Sequence, residues 1–256
     1  MIDWDEVQKL EALRQSGRPA EALEALQRIR VVCSDNESRA SILLSESACY
    51  CDLSRFPEAV EASETALRLL PKESPSRPFA EFSLACAHEF NGELELAAGE
   101  IRVFLAGHQA FLATAEYYGL RREAQHRLAA ILIMLNQATE AVFLLEMLEA
   151  DASTSEELAE LHYRQAKANE MLKRHDRALE LFQQALAEPL AHRYLARAHF
   201  GVGEILYHRS DFQPALREFE DAAHLAEKGS PDHEAFNNWI RATRKELQRD
   251  SPEPLM

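Results

Sequence analysis

A regular spacing of alanines is the feature of this sequence that most limits its fold. Each of these alanines comes shortly after a cluster of turn-forming residues, and in most copies a large apolar residue follows four positions later. The six alanines are Ala22, Ala59, Ala97, Ala141, Ala178 and Ala215. They are separated by 37, 38, 44, 37 and 37 residues. Such regularity indicates an internal repeat with one structural unit per alanine.

A second position, twelve residues before each alanine, is also occupied mainly by small side chains. The residues there are Leu10, Ser47, Ala85, Ala129, Ala166 and Gly203. A small residue at that point lets two helices approach closely. Apolar residues recur around it at three- and four-residue spacing, which is typical of a helix with one buried stripe. Each unit is therefore predicted to be a helix, a short turn and a second helix.

The amino-acid composition agrees with a fold made of helices alone. Only 8 glycines and 10 prolines occur among the 256 residues. The dominant residues are Ala, Leu, Glu, Arg and Gln, which lose little side-chain freedom in a helix. The predicted fold class is therefore all-α.

The two best-preserved copies carry further matching positions. They contain Ala166, Ala178, Phe182 and Ala185, and again Gly203, Ala215, Phe219 and Ala222. In these positions the sequence resembles the tetratricopeptide repeat family, whose unit is about 34 residues long. The resemblance covers roughly residues 3 to 229, with a longer spacing than the family's own. It implies a right-handed α-solenoid of about six helix-turn-helix repeats plus a C-terminal capping helix.

The predicted organisation is a single domain over residues 1–256. Its repeats are predicted at residues 3–39, 40–77, 78–121, 122–158, 159–195 and 196–229, and the capping helix at 231–249. Ser230 and Pro231 supply an N-cap and a first helical residue for that last helix. The final residues, Ser251 to Met256, are predicted to be a frayed tail.

The longest interval, between Ala97 and Ala141, contains extra residues at positions 107–120. These residues either lengthen the first helix of the fourth repeat by two turns or form a loop, and we favour the longer helix. A loop is predicted instead at residues 73–78, because two prolines there oppose helix formation.

Charge and cysteine content suggest the environment of the protein. The formal net charge of -15 opposes binding to nucleic acid and to anionic membranes. The longest apolar run, residues 128–135, is much shorter than the ~20 residues needed to span a bilayer, and the sequence begins without the features of a signal peptide. The four cysteines, predicted to be buried free thiols, fit a reducing compartment. These features predict a cytoplasmic protein. The cysteines are Cys33, Cys49, Cys51 and Cys86.

Motifs for catalysis or metal binding are not recognisable in the sequence. His88-Glu89 begins like a zinc-protease motif, but Gly92 takes the place of its second histidine. His192 and His199 are seven residues apart, without an evident set of carboxylate ligands. Glycine-rich phosphate loops and nucleophile-elbow motifs do not occur. We therefore predict neither an enzyme nor a bound metal or cofactor.

The family resemblance implies that the first helix of each repeat lines a concave groove. At the corresponding positions, the fourth to sixth repeats combine basic and aromatic side chains. The candidate groove residues are His126, Arg127, Tyr163, Arg164, Lys167, Arg197, Phe200 and Tyr207. This patch would bind an acidic or carboxylate-ended segment of a protein or peptide. Alternatively, its cations pair with Glu160, Glu170 and Glu204 on adjacent turns.

Chaperone-binding members of the family hold a terminal carboxylate with Lys and Asn at two groove positions. This chain has Val7 and Glu11, then Leu44 and Ala48, at those positions, so a chaperone clamp is not expected. The predicted function is a non-catalytic adaptor or scaffold that binds a protein or peptide. The alternatives are a regulatory sensor that binds a short signalling peptide or small effector and, in another class, a helical enzyme with an unrecognised site.

Overall fold

The computed structural model describes residues 4–250, except for the side chains of residues 192, 193 and 250. Within this part of the chain there are fourteen helices and no strand, so the predicted all-α class is confirmed. The helices belong to two compact units, Met1–Leu135 and Asn136–Met256. The predicted tail, and the side chain of His192, lie outside the described residues.

Each unit consists of consecutive helices that pack as hairpins. The first unit contains α1 (Trp4–Gln15), α2 (Pro19–Val32), α3 (Asn36–Asp52), α4 (Phe56–Leu69), α5 (Arg77–Phe90), α6 (Leu94–Gly107), α7 (Gln109–Leu112) and α8 (Tyr118–Met134). The second contains α9 (Ala138–Ala150), α10 (Ser155–Met171), α11 (His175–Ala187), α12 (His192–His208), α13 (Phe212–Leu225) and α14 (Pro231–Asp250). The fourth predicted repeat contributes α8 to the first unit and α9 to the second, so the single domain stays a prediction.

The repeated alanines lie on the second helix of each predicted repeat. All six are completely buried, as the spacing predicts. In the second repeat, the hydroxyl of Ser47 donates a hydrogen bond to the carbonyl oxygen of Ala59 at 2.9 Å. In the sixth, a Cβ atom on Gly203 would lie 2.6 Å from the ring of Phe219. The small residues therefore mark positions where a larger side chain would separate the helices.

Helix α12 is in close contact with a phenylalanine on each side. The ring of Phe182 on α11 would lie 2.6 Å from a Cβ atom on Gly201, and Gly203 has the same relation to Phe219 on α13. Both rings are fully buried. Glycine is required at both positions because the space of a side chain is already filled by a ring.

After the first helix of each predicted repeat, one residue has the left-handed conformation, five positions before the buried alanine. These residues are Gly17, Ser54, Gly92, Asn136, Lys173 and Ser210, with φ between 57° and 85°. In five of the turns the next backbone N–H bonds to the carbonyl five residues earlier, as from Arg55 to Tyr50 at 2.8 Å. This Schellman geometry ends the first helix and reverses the chain.

The favoured prediction for residues 107–120, a lengthened helix, is wrong. Helix α6 ends at Gly107, the four-residue α7 follows, and α8 begins only at Tyr118. The reason is an aromatic cluster in which Phe111 stacks on Tyr117 at 3.9 Å between centroids, and both contact Phe79 on α5. Packing these rings together gains apolar burial and edge-to-face contacts that a projecting helix would lose.

Two other predictions concern helix ends. The loop predicted at residues 73–78 is confirmed for residues 73–76 but wrong for Arg77 and Pro78, which form the first turn of α5, and the non-helical stretch begins at residue 70. At the capping helix, the hydroxyl of Ser230 accepts a hydrogen bond from the backbone N–H of His233 at 3.2 Å. The helix buries Phe236, Ile240 and Thr243.

The cysteines are free thiols, but the prediction that all four are buried is wrong. Only Cys49 is fully buried, and the other three are half-buried beside the helix surfaces. Burial raises the pKa of Cys49 and Cys51 to about 11, and that of Cys86 to about 12. These three side chains are therefore protonated near neutral pH. Across residues 4–250, no helix is both long enough and apolar enough to cross a bilayer.

Replacing Gly203 by alanine tests the helix contact. The added methyl overlaps the Phe219 ring, so we expect the free energy of unfolding to fall by about 1–3 kcal/mol. Gly99→Ala is the matched control, because Gly99 lies inside α6 with open space around it. That change should stabilise the protein by about 0.5–1 kcal/mol. Denaturant titration measures both, and equal effects would contradict the assigned contact.

The turn geometry predicts opposite effects at two equivalent positions. Ser54→Gly relieves the cost of a left-handed non-glycine residue, so we expect a gain of up to about 1 kcal/mol. Gly92→Ala introduces that cost and should lose about 1 kcal/mol. Thermal unfolding monitored by circular dichroism would show the two midpoints moving in opposite directions. A loss of stability in Ser54→Gly would argue against the turn assignment.

Candidate functional site

The eight candidate groove residues lie on the first helices of predicted repeats, in two groups. His126 and Arg127 are on α8 of the first unit, and the other six are on α10 and α12 of the second unit. Each group is described within its own unit.

Arg127 is held by contacts within the first unit. Its guanidinium donates hydrogen bonds to Glu89 on α5 and to Glu123 on its own helix, both at 2.8 Å. It also lies 5.4 Å from the ring centroid of Phe90. His126, the neighbouring residue, is half-buried on α8. The charge of Arg127 is thus balanced by two carboxylates, and its side chain links α8 to α5.

Tyr163 belongs to the core of the second unit. Its side chain is only 8% exposed, and its ring stacks on Tyr194 at 4.8 Å and contacts Phe182 at 6.0 Å. Burial raises the pKa of Tyr163 to about 12. The ring therefore joins α10 to α11 and α12 instead of presenting an exposed anchor.

The three candidate cations on α10 and α12, Arg164, Lys167 and Arg197, are all paired with carboxylates. Arg164 bonds Glu160 at 2.5 Å, Lys167 bonds Glu170, and Arg197 bonds Asp232 on α14 at 3.0 Å. The alternative prediction, pairing with carboxylates on adjacent turns, is confirmed for Arg164 and Lys167. This surface consequently has no large excess of positive charge.

Phe200 and Tyr207 contact the capping helix. Phe200 lies 4.8 Å from Phe236 and 6.1 Å from Trp239, between ring centroids. Tyr207 meets Trp239 edge to face at 5.1 Å. Both rings are half-buried, so part of each is used to dock α14 on the preceding hairpin.

Glu204 on α12 is the unusual carboxyl of this surface. It is half-buried, and none of the side chains described between residues 4 and 250 forms a hydrogen bond or ion pair with it. Burial raises the pKa of Glu204 to about 7, repulsion from Glu170 adds to the rise, and attraction to Lys167 opposes it. The carboxyl lines a cleft of about 290 Å³, together with Glu170, Lys173, His175, Ile205 and His208. A perturbed carboxyl in a cleft is a frequent sign of a functional site.

A larger cleft, of about 540 Å³, lies where the turn after α10 meets the C-terminal end of α12. Its basic lining residues are Lys173, Arg174, His175, Arg177, His208 and Arg209. Sequence reasoning missed this cleft because it considered only groove positions on the first helix of each repeat. The available signal was the run from Lys173 to Arg177, which holds three cations and a histidine.

One set of possible metal ligands occurs among the described side chains. His199, Glu218 and Asp221 bring donor atoms within 4.8 Å of one another across α12 and α13. The ring of His199 bonds Glu218 at 2.8 Å, and this hydrogen bond raises the pKa of His199. The hydrogen bond between the histidine ring and this carboxylate accounts for the contact without a metal ion. The side chain of His192, paired with His199 in the sequence analysis, is not described.

Comparison with known proteins identifies the repeat type. The tetratricopeptide repeat family model matches residues 160–189, which contain most of α10 and all of α11. No curated protein matches the chain significantly in sequence.

Several solved structures have a similar fold. One is a structure of nearly identical TPR-like repeats from a Podosopora anserina protein described as a kinesin light chain. Its sequence is 25% identical to this chain, and the TM-score is 0.60 over 72% of this chain and 92% of that structure. A tetratricopeptide repeat protein from Parabacteroides merdae is 16% identical, with a TM-score of 0.59 over 93% of this chain and 82% of its own. The apo form of RapI is 15% identical, with a TM-score of 0.65 over 90% of this chain and 69% of RapI. The last two likenesses concern the fold alone.

The raised pKa of Glu204 predicts a pH-dependent stability. Between its ordinary value of 4.5 and about 7 the folded state retains a proton that the unfolded state has released. Stability therefore falls as the pH rises through this window, and the cost is complete above pH 7. Glu204→Gln removes the charge, so we expect it to stabilise the protein at pH 8 by about 1–2 kcal/mol, allowing for solvent screening.

At pH 5 the difference in the free energy of unfolding between wild type and Glu204→Gln should be smaller than at pH 8, as measured by urea unfolding at both pH values. Glu227→Gln is the matched control, because Glu227 is exposed beyond the end of α13. A Glu204→Gln effect that is the same at pH 5 and pH 8 would contradict the interpretation.

Proposed function

The chain is a tetratricopeptide-repeat protein, and from this premise we propose that it is a non-catalytic module that binds a segment of another protein along α10 and α12. The observation that supports the proposal most directly is the cleft beside Glu204. This cleft contains a half-buried carboxyl without a hydrogen-bonding partner among the described residues. Burial of such a group costs free energy unless a partner satisfies it. A donor group of a bound segment would be that partner.

The ion pairs on α10 and α12 suit a preformed binding surface. Glu160 bonds both Arg164 and the hydroxyl of Tyr194, which lies 2.9 Å away on α12. These bonds hold long side chains in place before a ligand arrives, and less conformational entropy is then lost on binding. We therefore assign Arg164, Lys167 and Arg197 to the polar rim of the surface. They do not act as unpaired cations that anchor the ligand.

The aromatic residues have different roles in this proposal. Phe200 and Tyr207 are half-buried, and their remaining exposed edges offer apolar contact area next to Glu204. Tyr163 supports the surface from the core. His126 and Arg127 stay predicted groove residues within the first unit, where Arg127 pairs with Glu89 and Glu123.

A regulatory sensor is the second candidate function. The clefts of about 290 Å³ and 540 Å³ are comparable in size to pockets that bind small molecules, which measure about 300–1,000 Å³. A small effector or a short signalling peptide would fit the same residues. A small effector would contact only the clefts. A protein segment would also contact the polar rim on α10, outside the clefts.

Peptide selection tests the proposed function. A random peptide display library would be panned on the immobilised full chain, and enriched peptides measured by fluorescence anisotropy. We expect Glu204→Lys to weaken their binding at least tenfold, because it places a cation where the ligand's donor is bound. The charge-matched control Glu227→Lys should bind as the wild type does.

Two outcomes would count against the proposal. One is a failure to enrich any peptide over an unrelated immobilised protein. The other is equal binding to wild type and Glu204→Lys. Small molecules that raise the melting temperature of the wild type, but not of Glu204→Lys, would favour the sensor instead.

A further inference from the structure

The larger cleft of the second unit lies where two successive hairpin turns come together. The turn between α10 and α11 and the first turn of α11 supply residues 173–177, and the C-terminal end of α12 supplies His208 and Arg209. These side chains are all exposed, with Ile205 buried beneath them. The cleft is thus open to a ligand, and its lining is fixed by well-formed helix ends.

The charges in this cleft are not balanced. Arg209 pairs with Asp176, and Arg177 pairs with Glu180 at 3.2 Å. For Lys173 and Arg174, no carboxylate partner occurs among the side chains described in residues 4–250. The whole chain has 43 acidic and 28 basic residues, so an excess of positive charge at one place runs against its composition.

Equivalent turns in the first unit show how this charge is otherwise neutralised. Arg18 and Arg55 occupy the same repeat position as Arg174, four residues before the buried alanine. Each bonds a glutamate three residues later, Glu21 at 2.5 Å and Glu58 at 2.9 Å. The residue three positions after Arg174 is Arg177, a second cation. The acid that closes the other two turns is therefore replaced by an added positive charge.

Like charges placed this close together repel one another, and the repulsion is relieved when an anion binds between them. The guanidinium groups offer paired N–H donors that match the two oxygens of a carboxylate. The backbone N–H groups of the first turn of α11 add a positive potential of the same sign. The cleft is suited to an anionic ligand for these reasons.

The basic cleft continues into the smaller cleft beside Glu204. The two share Lys173, His175, Ile205 and His208. A segment lying in both would place acidic groups against the turn cations and a donor or cationic group against Glu204. Along α12, the surface is therefore basic at the turn and carries a carboxyl at Glu204.

We propose that the turn cleft formed by Lys173, Arg174, Arg177 and Arg209 binds an acidic segment, rich in aspartate or glutamate, of a protein partner. This inference rests on the proposed function, because it names the chemistry of the segment held beside α10 and α12. The net charge of -15 repels long polyanions. A short acidic segment avoids most of that repulsion by entering only the basic cleft.

Fluorescence anisotropy with a labelled octaglutamate peptide tests the inference on the full chain at low salt. Arg177→Glu restores the acid found at the equivalent turns, so it should reduce the affinity at least tenfold. Arg217→Glu is the control, because it makes the same change of charge at an exposed position of α13 outside the cleft. That variant should bind as tightly as the wild type. Arg174→Gln, a second variant, should also weaken binding.

Three results would overturn the inference. The first is equal binding by Arg177→Glu and Arg217→Glu. The second is absence of binding to the wild type up to about 1 mM peptide. The third is an unchanged affinity in Arg174→Gln while both this variant and Arg177→Glu remain folded. Complete displacement by inorganic phosphate, or tighter Arg177-dependent binding of a single-stranded oligonucleotide, would assign the cleft to another anion and overturn it as well.

The display-selected peptides separate this inference from the proposed function. If those peptides lose affinity on Glu204→Lys but not on Arg177→Glu, the binding module stands and the acidic-segment inference fails. If no peptide is selected and octaglutamate does not bind, both fail.

Discussion

The close approach of paired helices at fully buried alanines is the constraint on which the rest of this structure depends. The hydroxyl of Ser47 donates a hydrogen bond to the carbonyl oxygen of Ala59, and the absence of a side chain at Gly203 leaves room for the Phe219 ring. The turns that precede these alanines are short and contain a left-handed residue that ends the first helix. The turn positions in turn fix which side chains from successive repeats become neighbours. Helix packing, turn geometry and the clefts are thus consequences of one steric requirement.

Electrostatic pairing distinguishes the surfaces of this acidic chain. Along α10 and α12, Arg164, Lys167 and Arg197 each have a carboxylate within reach, and these pairs order the surface without making it strongly charged. The turn cleft departs from this pattern because Arg177 stands where the first and second repeats have Glu21 and Glu58. A repeat protein offers an internal reference of this kind, since equivalent positions share backbone geometry and differ mainly in side-chain chemistry.

Sequence reasoning was most successful where one residue type has one physical role. Buried alanines, the left-handed turns near them and the N-cap at Ser230 all leave a local signature at fixed spacing. It failed at residues 107–120, because the choice between helix and loop depended on Phe79, which is distant in sequence and close in space.

The candidate site was only partly accessible to the same reasoning, for a related physical cause. A groove position occupied by an aromatic residue does not reveal how deeply the ring is buried, and Tyr163 lies in the core. Pairing of Arg164 and Lys167 followed from helical spacing, whereas pairing of Arg197 with Asp232 required the packing of α14. The turn cleft needed the adjacency of two hairpins, which no single segment encodes.

The two glycines within α12 also affect how the clefts are assembled. Two interior glycines together lower the intrinsic helix stability by about 2 kcal/mol relative to alanine, so α12 has little tendency to form alone. The rings of Phe182 and Phe219 compensate by packing from both sides, which makes the helix dependent on its neighbours. Glu204 and His208 are therefore brought into position only when α11, α12 and α13 have folded as one cooperative unit. Local opening of either neighbour would dismantle the clefts before the remainder of the chain unfolds.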